Sequence, residues 1–393
     1  MSELAYALIT PYSLLKSRTG GIIGRLIALA RLRLVSVRMF VFSDNFVDAY
    51  RDMVCPPGTD KTLAEAWRRY VDENLRLDNP WGFLPRCLLL LFEGPDAVRH
   101  LRQDVIGPFT AQPVGDNVRG TYGDLILDAG GQVRYFEPAV LTGPTGDLND
   151  EHLRLLSRHD ADGGILAGRC KYPAGAHVET CLIILKPDNF ERPTRRPGNI
   201  IDVFSRTGLR IVGARLSHMT VAQAEEFYGP LKDLFRTRLR PNLTQEIYSR
   251  LHNAFAFPVT MMDAERVAEF LADRNAATEF NRIVEYMTGV NPEEIPDPAL
   301  KRTASRTRCL AMLYEGDHAI TKIREHLGST DPTKAEPATV RSEFGRDLMR
   351  NGAHASDSPA SAERERKIVG MWTESGDSDT KQIIDAYLQG RGQ

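Results

Sequence analysis

The sequence predicts an α+β chain of two tandem ferredoxin-like (βαββαβ) units, antiparallel sheets covered by helices, and three observations carry that expectation. The first is an internal repeat. Tyr6-Ala7-Leu8-Ile9-Thr10-Pro11 parallels Leu182-Ile183-Ile184-Leu185-Lys186-Pro187, 176 positions on, and Leu32-Arg33-Leu34-Val35 parallels Leu209-Arg210-Ile211-Val212, 177 positions on. Further along, Arg86-Cys87-Leu88-Leu89 parallels Arg308-Cys309-Leu310-Ala311, and Val118-Arg119-Gly120-Thr121-Tyr122-Gly123 parallels Val340-Arg341-Ser342-Glu343-Phe344-Gly345, both at an offset of 222. Self-similarity of this kind marks a duplicated unit. The second observation is the alternation of strand-like and helix-like runs within each copy, and the third is the strand-sized length of the apolar runs.

In the first copy, placed at residues 1–140, strands are expected at 6–9, 32–40, 87–92 and 119–127, with helices at 21–30, 45–54 and 95–105. The run Cys87-Leu88-Leu89-Leu90-Leu91-Phe92 stops at Glu93-Gly94, which suits a buried strand and is too short for a membrane helix. A linker is expected at 141–178, holding a helix at 148–158 and a Gly-rich stretch at 162–175. Its Asp160-Ala161-Asp162-Gly163-Gly164 resembles the start of a calcium loop, but the twelfth position is Lys171 where a bidentate Glu is needed, so it reads as a turn. The second copy occupies 179–375. Because the offset grows from 177 to 222, this copy carries 45 extra residues, placed at about 236–281. Within them 242–253 and 263–271 have helical spacing, with apolar faces Leu243, Ile247, Leu251 and Val267, Phe270, Leu271. A tail at 376–393 is expected to hold a short helix at 377–388 and to fray over 389–393.

With 42% hydrophobic and 26% charged residues, the chain is an ordinary globular one. The net charge of −2 supplies no overall field for a nucleic-acid backbone, so nucleic acid is not an expected partner. The apolar stretch 22–30 is broken by Arg25 and lacks a cleavage pattern, so neither a secretory signal nor a membrane span is expected. Five scattered cysteines, three of them in apolar runs (Cys87, Cys181, Cys309), point to buried thiols and a cytoplasmic location.

The chemistry centres on Asn351-Gly352-Ala353-His354-Ala355-Ser356-Asp357-Ser358, read as a short polar turn before a helix at 359–368. Ser356, Asp357 and Ser358 are helix-capping types, and a helix N-terminus favours a nearby phosphoryl group. An imidazole with an unperturbed pKa of about 6.5 has a nitrogen lone pair able to accept that group. Glu365, eleven residues past His354, is placed to hold the other nitrogen. Upstream stand Arg341, then Arg324 and Thr330, and earlier an apolar strand ending in Lys186-Pro187-Asp188.

Taken in order, these motifs resemble the nucleoside diphosphate kinase family, whose hallmarks are a strand ending in Lys-Pro-Asp, an Arg-Gly-Asp-Phe-like strand and a His-Gly-Ser-Asp turn. The resemblance spans about 179–372. It implies the ferredoxin-like fold and transfer of the γ-phosphate of a nucleoside triphosphate to a nucleoside diphosphate by a ping-pong route through phospho-His354. It further implies that Lys186 contacts the transferred phosphate, that Tyr228 lies near the nucleophile, that Arg324, Thr330 and Arg341 hold the phosphates, and that Asn351 binds the sugar and phosphate end. Phe235 stands where the family stacks an aromatic side chain on the base. Mg2+ is the implied cofactor, held mainly by the nucleotide with no assigned protein ligand. An intrachain pseudo-dimer is implied by the tandem, with a homo-oligomer as a further expectation.

Ala355, Ser342 and Asp331 depart from the usual Gly, Gly and Asn, which bears on rate and nucleotide preference. The first copy departs further: Thr10 replaces the lysine, and Gln132, thirteen residues after Arg119, stands where the histidine is expected. It is therefore expected to be a catalytically silent structural partner. An alternative of another class is a nucleotide-sensing or scaffold protein with little turnover.

Overall fold

The computed structural model describes residues 2–55, 58–108, 116–372 and 378–391. They fall into two compact units, Met1–Leu216 with Leu310–Gln393, and Ser217–Cys309.

The first unit opens on β1 (Ser2–Ile9), whose residues from Leu4 onward are buried on both faces, as a continuous apolar strand requires. Thr10 then caps α1 (Pro11–Leu15), and α2 (Thr19–Ala30) ends at Arg31 with φ 52. After β2 (Arg33–Phe40) and α3 (Asp44–Met53) comes α4 (Lys61–Leu75), a helix the sequence reading left out. Asp60 starts it by accepting from the Thr62 and Leu63 amides, and Ala66, Trp67, Tyr70 and Val71 are its buried face. β3 (Cys87–Pro95) leads to α5 (Ala97–His100), which continues in a wider turn through Ile106.

The fourth strand of this half differs from the expectation. Residues 119–127 do not add a strand to the sheet. Asn117 caps a five-residue helix, α6 (Val118–Tyr122), and β4 (Asp124–Leu127) pairs with β5 (Val133–Glu137) as a separate hairpin. The sheet is completed by β6 (Val140–Thr142), which straddles the boundary placed at 140, and α7 (Gly146–Arg158), in the stretch read as linker, packs beneath it. The strand order β2-β3-β1-β6 is the ferredoxin-like one. One core joins Leu4, Tyr6 and Leu8 to Phe46 and Tyr50 of α3, Trp67 and Val71 of α4, and Leu153 and Leu156 of α7.

The second half repeats this plan. β7 (Val178–Leu185), α8 (Arg196–Ser205) and β8 (Arg210–Ser217) precede the second unit, whose helices are α9 (Val221–Arg238), α10 (Arg240–Leu251), α11 (Met261–Thr288) and α12 (Pro298–Lys301). Then come β9 (Cys309–Asp317), α13 (Ala319–Leu327), α14 (Val340–Phe344), β10 (Ala353–Ala355), α15 (Pro359–Ile368) and α16 (Asp379–Arg391). The strand order β10-β7-β9-β8 matches the first sheet. The Arg341 segment is thus a helix capped by Thr339, where the family resemblance implied a strand. The expected helix at 377–388 is α16, which runs on to Arg391; residues 377, 392 and 393 lie outside the described range.

Strand register corrects the counterpart of His354. In β10, Ala353 faces Leu185 and His354 faces Ile184; in β6, Val140 faces Ile9 and Leu141 faces Leu8. With Thr10 in the place of Lys186, the residue at the histidine position is Leu141, fully buried, and not Gln132. The β4–β5 hairpin lengthens this connection in the first repeat, so counting residues from Arg119 misses by that amount. His152 and Glu365 are each the seventh residue of the helix that follows, α7 and α15, so His152 takes the place of Glu365.

Within the first unit the two repeats meet at glycines. A Cβ at Gly198 of α8 would overlap the Gly20 carbonyl and fall 2.7 Å from Gly24 Cα, so α2 and α8 cross with backbones in contact. The connecting chain bridges both sheets: the Gly164 amide donates to Met39 O at 2.9 Å and the Leu166 amide to Val212 O at 2.7 Å. The Asp160–Asp162 turn is tied to protein groups, Asp162 accepting from Ser43 Oγ at 2.7 Å.

In the second unit, Thr260 forms a capping box with Asp263 at the start of α11. The packing face of α11 differs from the expected one. Ala264 and Ala268 join Ile247, Leu243, Leu251 and Leu271 in a core, whereas Phe270 is 86% exposed and Val267 is exposed as well.

Candidate functional site

His354 does not lie in a turn; it is the middle residue of the edge strand β10. Gly352, with φ 84, makes the turn that enters the strand, and its carbonyl accepts from the Lys186 amide at 3.2 Å and from Asn189 Nδ2 at 2.7 Å. The strand is therefore pinned to the end of β7. The His354 side chain is 22% exposed.

The helix expected at 359–368 is α15, capped by Ser358, which accepts from the Ser361 amide at 3.1 Å. Glu365 at the end of its second turn is buried, and its Oε2 meets His354 Nε2 at 2.9 Å while accepting from Ser356 Oγ at 2.7 Å. A carboxylate only accepts, so Nε2 carries the proton and Nδ1 the lone pair of the neutral ring.

Lys186 follows β7 directly. Its Nζ donates to Asn351 Oδ1 at 2.7 Å and to Met349 O at 2.9 Å. Burial, and then the charge of Arg341, pull its pKa down to about 7 against the pull of Asp188 and Asp347. Asn351 is buried and donates to Thr330 O at 3.1 Å; Thr330 Oγ1 accepts from Arg341 Nη1 at 3.3 Å, which also donates to Gly328 O at 3.0 Å. Arg341 is lowered to about 10 by burial and then by the neighbouring Arg324. Hydrogen bonds thus join Lys186, Asn351, Thr330 and Arg341, and Arg324 acts on Arg341 through its charge. Tyr228, buried, and Phe235, half-buried, both lie on α9 of the second unit.

Three supporting residues have roles the sequence did not give them: Ser356 was read only as a capping type, Arg196 only as part of a basic cluster, and Asn189 was passed over. Ser356 shares Glu365 with the histidine. Asn189 Oδ1 accepts from Arg196 Nε at 2.7 Å, and Arg196 Nη2 reaches Phe344 O at 2.7 Å and Asp188 at 2.8 Å, so these residues link the Lys186 turn to α14. The signal available was faint: an amide three residues beyond the strand-ending lysine.

The nucleoside diphosphate kinase family model matches residues 179–238 and 234–371. A nucleoside diphosphate kinase of Methanococcus maripaludis is 30% identical over 188 residues, covering 48% of this chain and 95% of that relative. The chain belongs to the nucleoside diphosphate kinase family. Similar kinases from Bdellovibrio bacteriovorus (28% over 188 residues, 48% of this chain, 89% of the relative) and Symbiobacterium thermophilum (26% over 211 residues, 54% and 97%) agree. Among solved structures, the Aquifex aeolicus nucleoside diphosphate kinase is 27% identical, with 51% of this chain and 97% of that chain covered at a TM-score of 0.32. An NDP kinase from Pyrobaculum aerophilum gives 25%, 51%, 98% and 0.34. The match to the kinase family model lies in the second repeat.

Proposed function

We propose that the second repeat is a nucleoside diphosphate kinase working in two half-reactions through phospho-His354. The single observation that carries this reading is the His354 Nε2 to Glu365 contact at 2.9 Å, which aims Nδ1 away from the carboxylate as a nucleophile. In the first half-reaction the Nδ1 lone pair attacks the γ-phosphorus, the bond from that phosphorus to the β,γ-bridging oxygen breaks, and the diphosphate leaves with its electron pair. In the second, a terminal β-phosphate oxygen of another diphosphate attacks the phosphohistidine and Nδ1 recovers its lone pair. Lys186, Arg324, Thr330 and Arg341 are assigned to the phosphate oxygens, where charge develops. Asn351 is assigned to the sugar and phosphate end. Mg2+ would be held mainly by phosphate oxygens, where it neutralises charge; among the described residues no group of three or more His, Cys, Asp or Glu side chains could hold a metal.

No described helix is long and apolar enough to cross a membrane, and Cys87, Cys170, Cys181 and Cys309 are buried free thiols, which fits the proposed cytoplasmic location. The test is incubation with γ-labelled triphosphate. An acid-labile, base-stable label on His354, discharged by any nucleoside diphosphate and absent from His354→Ala, is the expected result. A protein that binds nucleotide yet never takes the label would leave the sensing reading in its place. Lys186→Ala and Arg341→Ala should each keep residual turnover, since one electrostatic contact contributes about 2–4 kcal/mol to the transition state.

A further inference from the structure

The first repeat has lost its nucleophile position to Leu141 but still holds a cavity of about 480 Å3, within the size range of small-ligand sites. Arg102, Arg119, Trp67, Leu63 and Thr142 line it, and no Asp or Glu is among its described lining residues. Arg102 and Arg119 stand 222 residues before Arg324 and Arg341, at the repeat offset. The guanidinium of Arg119 is held as that of Arg341 is: Nη1 donates to Gly107 O at 2.8 Å, with Nη2 on Val140 O at 3.1 Å and the Trp67 ring 5.3 Å away. Arg102 donates to Pro144 O on the far wall. Burial and then the charge of Arg102 pull Arg119 down to about 9, and burial lowers Arg102 as well, so an anion beside the two would favour the charged form of each. Planar guanidinium forks recognise phosphate oxygens, and the indole and Leu63 offer an apolar wall beside them.

We propose that this cavity is a second, non-transferring site for an organic diphosphate of the nucleotide class. Recognition rests on Arg102 and Arg119 and is independent of phosphohistidine chemistry in the other repeat.

Trp67 is one of three tryptophans, so Trp81→Phe with Trp372→Phe in the full chain leaves it as the sole indole reporter. Titration of this protein with ADP should give a saturable change in Trp67 emission that survives Arg341→Ala and weakens at least tenfold in Arg102→Glu. Arg102→Gln, which removes the charge but keeps a hydrogen-bonding side chain, should show the same loss and is read alone if Arg102→Glu fails a circular-dichroism check. A parallel titration with inorganic pyrophosphate separates the sources of the anion. ADP at least tenfold tighter supports a nucleotide, whereas equal or tighter pyrophosphate overturns that class. No emission change, or a change that persists without Arg102 and disappears in Arg341→Ala, overturns the site itself, and neither result bears on labelling of His354.

Discussion

Lys186 keeps its amine on two oxygen acceptors while burial and Arg341 hold its pKa near 7, so at pH 8 the apo protein carries it mostly neutral. Phosphate oxygens arriving beside it favour the charged form and raise that pKa. Nucleotide binding at pH 8 is therefore expected to take up close to one proton, falling to none below about pH 6. Calorimetry in two buffers of different ionisation enthalpy measures this, and an unchanged apparent enthalpy would refute it; Lys186→Arg should abolish the uptake. Glu137 works through stability. Burial raises it to about 7 despite hydrogen bonds from Ala139 N, Tyr70 and Thr10. Its folded pKa lies above the unfolded value, so its contribution is full below about pH 4.5 and is lost as pH rises through 7, on the order of 3 kcal/mol. In Glu137→Gln the unfolding free energy should lose that slope between pH 4.5 and 7. Lys186, His354, Glu365 and Arg341 were legible as candidates through the family resemblance, because their joint order is rare. Asn189 stayed hidden and Ser356 was read only as a cap, since amides and hydroxyls are common and do not announce their partners.

Elements were legible where they are long and apolar. β1, β3, β7 and β9 announce themselves as buried runs, and α15 follows from its cap. The five-residue helices α6 and α14 were misread because one turn shows no helical period, and the three-residue strands β6 and β10 because they are shorter than any alternation. α11 hid its core face behind alanines: Ala264 and Ala268 let α10 approach closely, while the larger Phe270 points to solvent. The crossing of α2 and α8 is the sharpest packing constraint. Gly198→Ala places a methyl 2.7 Å from Gly24 Cα, on backbone that cannot step aside, and should cost about 1–3 kcal/mol. Gly229→Ala on α9, whose Cβ would meet nothing within 4 Å, is the control and should be neutral or slightly stabilising. Equal unfolding midpoints for the two variants would show that the helices are not in contact in solution.

At the scale of the molecule, the duplication was readable from offsets, but the way the chain ties its repeats together was not. α2 and α8 occupy the same place in their repeats and meet face to face, a self-complementary contact that supports the proposed intrachain pseudo-dimer. The helix expected at 377–388, given no packing partner by the sequence, closes the first repeat. Ile384 of α16 is buried in the core that holds Tyr50 and Leu156, Thr380 Oγ1 lies 2.7 Å from Ser36 Oγ, and Arg391 reaches Asp150 at 3.0 Å. No local pattern signals this, because the contacts span more than 200 residues of sequence. Burying one isoleucine contributes about 1.5–3 kcal/mol and each net hydrogen bond about 1 kcal/mol, so removing residues 373–393 from the full chain should cost about 3–5 kcal/mol. The loss belongs to the first repeat, since α16 packs on α7 and β2. The expected outcome is a lower unfolding midpoint and reduced solubility, with label still reaching His354 at temperatures where the truncated chain is folded. An unchanged midpoint would mean that α16 contributes nothing to the first repeat's core, and a truncated chain that is folded yet unable to take the label would mean that the last helix serves the second repeat's chemistry instead.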